Sequence, residues 1–267
     1  MTINYKKFQI INILAVVFTI VMNALANILP FNGVNTGAVA DSFPNYFTPP
    51  GYVFAIWGVI YVLLFVFMVY QARKNQVDAE YLGKIGYLYL IGAVLNVAWL
   101  IVFHYSYGNT PLLVWSELLI VGFLVVLLLT YVRLEIGIKE VPLGQKLAVH
   151  LATSVYLGWI SLATIANTAA VLNSNLTIAI DVQYIWTALV LVVALLITTL
   201  MIWLRRDIAY GLVVIWASTG IASKWMSIPL IFNTAIIVAV VIALLILIVP
   251  FVRKKNWIDY YLVRNLE

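Results

Sequence analysis

The sequence predicts an all-α integral membrane protein, a polytopic helical bundle of about eight transmembrane helices. Three observations carry that reading. The 267 residues are 65% hydrophobic and only 9% charged, whereas a soluble domain is about one quarter charged. Eight apolar stretches of membrane-crossing length follow one another. The basic residues gather in alternate connections between them. With so few charges, polar groups could not cover the folded surface, so hydrocarbon must solvate much of it. The absence of cysteine excludes disulfides, thiolate metal sites and cysteine nucleophiles.

A helix crossing hydrocarbon needs about 20 mainly apolar residues, because its backbone groups must be satisfied within the segment. The stretches that meet this are 8–30, 50–71, 83–105, 111–133, 147–172, 181–204, 208–223 and 229–252. The first follows a charged start and resembles a signal peptide, but it exceeds the roughly 7–15 residues of a signal's apolar region. It reads as a retained span. The seventh is short and carries Gly211, Ala217, Ser218 and Gly220, so it is expected among protein neighbours rather than against lipid. Pro30, the Pro49-Pro50 pair, Pro111, Pro142 and Pro229 fall at or near span ends, where a missing N–H costs least.

The charges test this map independently. With the N-terminus inside, the inner segments hold Lys6, Lys7, Arg73, Lys74, Lys84, Arg133, Lys139, Lys146, Arg205, Arg206, Arg253, Lys254, Lys255 and Arg264; Lys224 alone falls outside. That is the positive-inside pattern. It predicts cytoplasmic N- and C-termini; the plasma membrane of a prokaryote is the expected location. The net charge of +5 is thereby topological and calls for no nucleic-acid partner. The longest outer connection spans 31–49. No nucleotide-binding or metal-ligand motif is present, no cofactor is implied by the residues, and no catalytic set stands out. His104 and His150 are expected at opposite membrane faces as interfacial hydrogen-bonding residues. Asn23 and Asn27, four apart on the first span, read as interhelical hydrogen-bonding residues. Asn175-Leu176-Thr177 is a glycosylation sequon on an outer loop, of consequence only in a secretory host. The residues from Trp257 onward, after the Arg253-Lys254-Lys255 cluster, read as an interfacial tail.

Three spans carry aromatic and polar residues at matching intervals: Phe54, Trp57 and Tyr61; Asn96, Trp99 and Phe103; Tyr156, Trp159, Ala163 and Asn167. Each set lies along one helix face. If the faces converge, they wall a cavity with indole and phenol rings and amide hydrogen-bonding points, suited to a flat or bulky apolar ligand. The alternative is helix packing or an interfacial aromatic belt; the depth of Trp57, Trp99 and Trp159 in their spans counts against a belt. Glu117 lies about two turns into the fourth span, where an ionised carboxylate must be protonated, paired or facing water. Lys224 is the expected partner, with proton or substrate coupling as the functional reading and an interhelical hydrogen bond as the structural one.

The residues also resemble a known family, the TspO/MBR translocator proteins or tryptophan-rich sensory proteins. The family pattern Trp-x-Pro-Pro-x-x-Val-Phe-x-x-(Val)-Trp-x-x-x-Tyr, in which the bracketed Val is optional, is matched by Phe47 to Tyr61 at every fixed position but the first. Leu-Asn-x-x-Trp-x-x-x-Phe is met by Leu95 to Phe103, and Tyr-Leu-x-Trp-x-x-x-Ala-x-x-x-Asn by Tyr156 to Asn167. The resemblance covers roughly residues 8–175. It implies a five-helix core (1–175) whose long outer loop covers a ligand cavity, followed by a three-helix membrane extension with a short cytoplasmic tail (176–267). It further implies binding of a hydrophobic, tetrapyrrole-like small molecule by a sensor or transporter, often as a homodimer. A proton-coupled transporter using Glu117 and a porphyrin-degrading enzyme are the alternatives. The implied ligand-binding residues are Phe47, Phe54, Trp57, Tyr61, Asn96, Trp99, Phe103, Tyr156, Trp159, Ala163 and Asn167. The sequence departs from the pattern where Phe47 replaces the loop tryptophan, Pro44-Asn45 replaces Lys-Pro and Val155 replaces a proline. A tryptophan expected near Val171 is also missing. These losses weigh against the enzymatic reading.

Overall fold

The computed structural model describes residues 5–263, and among these every regular element is helical. In chain order they are α1 (Lys6–Ile28), α2 (Thr36–Asp41), α3 (Ile56–Gln71, with a 3₁₀ lead-in Gly51–Ala55), α4 (Glu80–Ile85), α5 (Leu88–Ser106), α6 (Pro111–Arg133), α7 (Leu143–Asn175), α8 (Ile180–Arg205), α9 (Ile208–Lys224), α10 (Pro229–Val252) and α11 (Trp257–Leu262). Seven helices are long and apolar enough to cross a membrane: α1, α3 with its lead-in, α5, α6, α7, α8 and α10. The expected seventh crossing, α9, has 17 residues and so spans about 25 Å at 1.5 Å per residue. It sits among protein neighbours as its small residues predict, with Gly211, Ala217, Ser218 and Gly220 all buried.

Two expected spans are drawn differently by the backbone. The stretch 83–105 is not one helix: α4 stops at Gly86, whose φ of +54° is open to glycine at little steric cost, and α5 restarts at Leu88. The stretch 147–172 is longer than expected, running from Leu143 to Asn175 with a π turn over Lys146–His150. Pro111 and Pro229 open α6 and α10 at the first helical turn, where their missing N–H would be unpaired anyway.

Five long helices close a ring in the order α1, α3, α7, α6, α5 and back to α1. Outward positions such as Leu14, Phe65, Leu118 and Leu128 are exposed, as a hydrocarbon solvent requires. Polar ties fix the ring. Gln9 and Gln71 exchange side-chain bonds to each other's carbonyls between α1 and α3. Asn23 donates to Asn96 Oδ1 at 2.7 Å, joining α1 to α5, while Asn27 bonds the carbonyl of Asn23 on its own helix.

The remaining helices dock on this ring through α9, which packs on α7 and the 3₁₀ lead-in of α3, and in turn carries α8 and α10. Small residues allow the approach: a Cβ at Gly158 would press on Val213, and one at Gly220 would collide with Val53. Trp216 Nε1 donates to the Val53 carbonyl at 2.9 Å, and Tyr52 and Ser223 share a hydroxyl bond at 2.9 Å.

The connections sort to two ends. At one, Lys84 pairs with Glu80 at 3.1 Å and with Glu135, and Lys139 pairs with Glu80 at 3.1 Å. Hydrogen bonds to Lys139 and Lys84 hold the Glu80 carboxyl below the usual carboxylate range, and Lys84 does the same to Glu135. This is the basic end, and α11 folds back onto it. Tyr261 and Trp257 donate to the Ile246 carbonyl at 2.6 and 3.2 Å, and Tyr260 reaches the Ile202 carbonyl at 3.1 Å. The expected interfacial tail is thus partly docked on α8 and α10; Arg264 and the residues after it lie outside the described residues. The other end holds the long connection between α1 and α3.

Candidate functional site

The matching intervals on α3, α5 and α7 deliver three tryptophans to one place. Trp57, Trp99 and Trp159 are 9%, 4% and 3% exposed. Trp57 is the hub: its ring centroid lies 6.4 Å from Trp99 in a stacked pair and 6.1 Å from Trp159 edge to face. Phe54 packs edge to face on Trp159 at 5.7 Å, and Phe103 stacks on Trp99 at 5.3 Å. Such offset and perpendicular arrangements suit the quadrupoles of aromatic rings.

These rings line a cavity together with Ala163, Asn167, Phe47 and further loop and helix residues. Its free volume is about 50 Å³, room for a few waters. The indole N–H groups of Trp99 and Trp159 are buried and have no hydrogen-bond partner. An unpaired buried donor is costly, so two such donors on residues that line the cavity favour acceptor atoms on whatever fills it.

Of the eleven positions singled out in the sequence, Phe47, Phe54, Trp57, Trp99, Phe103, Trp159, Ala163 and Asn167 line this cavity, and three do not. Tyr61 stacks against Trp57 at 5.8 Å, outside the cavity lining. Asn96 turns toward α1 to accept from Asn23. Tyr156 packs between Trp57 at 6.0 Å and Phe123 at 5.2 Å and lines a second, smaller cavity toward α1 and α6. A residue on a lining helix has neighbours on both sides, and the edge of its stripe is claimed by the adjacent helix.

The expected pairing of Glu117 with Lys224 is not formed. Lys224 instead pairs with Asp41 at 3.2 Å. Glu117 Oε2 accepts from Asn167 Nδ2 at 2.7 Å and Oε1 from Thr168 Oγ1 at 2.6 Å. Since Asn167 also lines the aromatic cavity, a single amide links the carboxylate of α6 to the cavity wall. His104 is fully buried, with Nδ1 on the Leu100 carbonyl at 2.7 Å and Nε2 at 3.4 Å from Thr36 Oγ1. It stands at the loop end, while His150 stands at the basic end, and no metal-holding cluster occurs among the described residues.

A family model described as TSPO-like protein matches residues 9–248, nearly the whole chain. The chain belongs to the TSPO-like family. The match continues past the five ring helices through α8, α9 and most of α10, beyond the residues 8–175 over which the motifs carry the resemblance. No curated protein and no solved structure matches the chain.

In this TSPO-like protein the long loop is a built cover. Asn45 knots it: its Oδ1 accepts from Phe47 N at 3.1 Å, Thr48 N at 2.8 Å and Thr48 Oγ1 at 3.0 Å, and its Nδ2 donates to the Phe43 carbonyl at 3.0 Å. Such an Asn replaces backbone partners that a turn would otherwise lack. The knot buries Phe43 and Phe47 over the rings. Sequence reasoning missed the loop contributors Thr36, Ala40, Phe43, Thr48 and Pro49, and also Ala217 and Ile221, which α9 supplies. It also missed Ala166 and Ala170, although their spacing from Ala163 on one face of α7 was a readable signal. Two larger spaces adjoin the cavity. An outer vestibule of about 530 Å³ shares Ala40, Phe43 and Thr48 with it, and a groove of about 390 Å³ between α7 and α8 shares Phe47.

Proposed function

We propose that this membrane protein binds a flat, hydrophobic small molecule bearing hydrogen-bond acceptors, a tetrapyrrole or a molecule of similar shape, and acts as its sensor or transporter. The observation that carries the reading is the meeting of Trp57, Trp99 and Trp159 around one cavity, with the N–H groups of Trp99 and Trp159 unpaired. The ring of the first five long helices carries the site, and the later helices brace it and contribute Ala217 and Ile221. The basic end faces the cytoplasm, as the positive-inside pattern implies.

The cavity's free volume is far below the roughly 300–1,000 Å³ of small-ligand pockets. A tetrapyrrole therefore enters by displacing the 43–49 loop toward the vestibule, and binding is coupled to loop opening. The test is quenching of intrinsic tryptophan fluorescence by a hydrophobic tetrapyrrole. Saturable quenching that Trp159→Ala and Ala163→Phe each abolish supports the proposal; linear, unsaturable quenching in all three proteins refutes it.

A second reading, proton-coupled transport, is favoured by one observation: Asn167 joins the cavity to Glu117. Protonation of Glu117 would withdraw an acceptor from Asn167 and so alter the cavity wall. Flux into proteoliposomes that depends on a pH gradient, and loses that dependence in Glu117→Gln, supports it.

A further inference from the structure

α7 and α8 follow one another in the chain, yet each packs on α9 and hardly on the other. They stand apart over the groove of about 390 Å³, which falls within the roughly 300–1,000 Å³ of small-ligand pockets. Ile165, Ala169 and Leu172 of α7 line one wall, Trp186, Val190 and Val193 of α8 the other, and Tyr46 and Phe47 of the long loop complete it. Trp186 and Val193 are exposed on a helix of membrane-crossing length, so the groove opens sideways to hydrocarbon. Among the described residues no charged side chain lines it. Its polar side chains are answered from within the protein. Asn173 donates to the Pro44 carbonyl at 3.2 Å and to Gln183 Oε1 at 3.0 Å, and Gln183 donates to the Ile178 carbonyl at 2.9 Å. Thr168 donates to Glu117 at 2.6 Å and Thr187 to the Gln183 carbonyl at 2.9 Å. What the groove offers is apolar and aromatic surface.

One residue lines both this groove and the aromatic cavity: Phe47, which is 3% exposed. α7 is the partition between the two spaces, with Ala163, Ala166 and Ala170 on the cavity side and Ile165 and Ala169 on the groove side. Displacing the 43–49 loop toward the vestibule carries Phe47 with it and joins groove to cavity. The vestibule is walled by the Asp41–Lys224 ion pair, a poor path for a molecule that water drives into hydrocarbon. We infer that the α7–α8 groove is an antechamber. It binds the flat hydrophobic ligand from the outer leaflet against Trp186, Tyr46 and Phe47, and passes it behind Phe47 into the aromatic cavity. This inference rests on the reading of that cavity as the ligand's seat. A phospholipid is a poorer match for the groove, which has no charge to pair with a headgroup and aromatic rings suited to stacking on a flat one.

The test uses the full chain in phosphatidylcholine vesicles, with protoporphyrin IX as the probe and stopped-flow tryptophan emission as the readout. Quenching is expected in two phases, a fast one from Trp186 as the groove fills and a slower one from the buried tryptophans. Trp186→Phe should remove most of the fast phase and keep the slow one. Ala169→Phe should slow the second phase about tenfold, the effect of a crowding contact on the path, and leave the equilibrium midpoint at its wild-type position. Val190→Phe, on the facing wall, should do the same, so the proposal stays testable if Ala169→Phe folds poorly. Leu14→Phe, on the lipid side of α1, should change neither phase. Saturable binding whose slow phase keeps its rate in both groove variants overturns the antechamber and leaves the aromatic site standing. So does a fast phase undiminished in Trp186→Phe. Absence of saturable quenching in the wild type overturns the aromatic site itself, and the antechamber falls with it.

Discussion

Asn45→Ala should loosen the cover over the aromatic cavity without unfolding the bundle. The Asn45 amide makes four hydrogen bonds inside a buried loop, to Phe43, Phe47 and twice to Thr48. Alanine removes all four and leaves the Phe47 and Thr48 N–H groups buried without acceptors. At about 0.5–1.5 kcal/mol net per bond, with a larger penalty for stranded donors, the closed loop loses on the order of 3 kcal/mol. Because about 1.4 kcal/mol is tenfold in an equilibrium constant, the open loop gains roughly a hundredfold in population. Amide hydrogen exchange at residues 43–49 reads this directly. Exchange there should accelerate by about two orders of magnitude, while α5 and α6 stay protected. Asn45→Asp keeps the acceptor oxygen and loses only the bond to Phe43, so it should fall between wild type and alanine. If Asn45→Ala leaves exchange in the loop unchanged, the knot does not hold the cover and the argument fails.

Gly220→Leu should force α9 away from Val53, costing about 1–3 kcal/mol as an overpacked contact, and a thermal melt followed by tryptophan emission would register the loss. Glu117→Gln keeps one acceptor oxygen for Thr168 or Asn167 and should cost no more than about 1–2 kcal/mol in stability; a loss large enough to prevent folding would mean that α6 and α7 depend on the charge itself. The pH response of the basic end follows from Glu80 and Glu135, whose carboxyls are held below the ordinary range by Lys139 and Lys84. A depressed carboxyl stabilises above its unfolded value of about 4.3 and loses that contribution as pH falls through the folded value. Melting temperature should therefore drop between about pH 5 and pH 3, and less steeply in Lys84→Gln than in wild type; identical slopes would refute the linkage.

Much of the bundle was legible because hydrocarbon is a severe solvent. Length, apolarity and the sorting of Lys and Arg are dictated by it, and the ring helices appear close to where those constraints place them. The tryptophans were legible too, since intervals of three and four residues, each close to one helical turn, keep Phe54, Trp57, Trp99 and Trp159 on inward faces. What a stripe does not encode is which edge of it meets which neighbour. Asn96 shares its face with Trp99 yet bonds across to Asn23, and Tyr156 shares its face with Trp159 yet packs on Phe123. Long-range partners were equally hidden. Lys224 looked complementary to Glu117 because it was the lone basic residue on the outer side, but Asp41 sits on a loop whose path the sequence does not specify, and Glu117 is held by neutral donors of α7. The same loop path concealed Phe43 and the Asn45 knot. The share of α9 in the cavity wall depended on a docking angle set by Gly158 and Gly220, and no local pattern reveals that.

Equilibrium titration of the purified protein with a hydrophobic tetrapyrrole, read by tryptophan emission, tests the central claim most directly. Rings from α3, α5 and α7 that share one guest should quench together and saturate at one ligand per chain, and Ala163→Phe, which takes up the space beside Trp159, should abolish the effect. Saturable quenching that survives Ala163→Phe and Trp159→Ala unchanged would place the guest elsewhere and contradict the account.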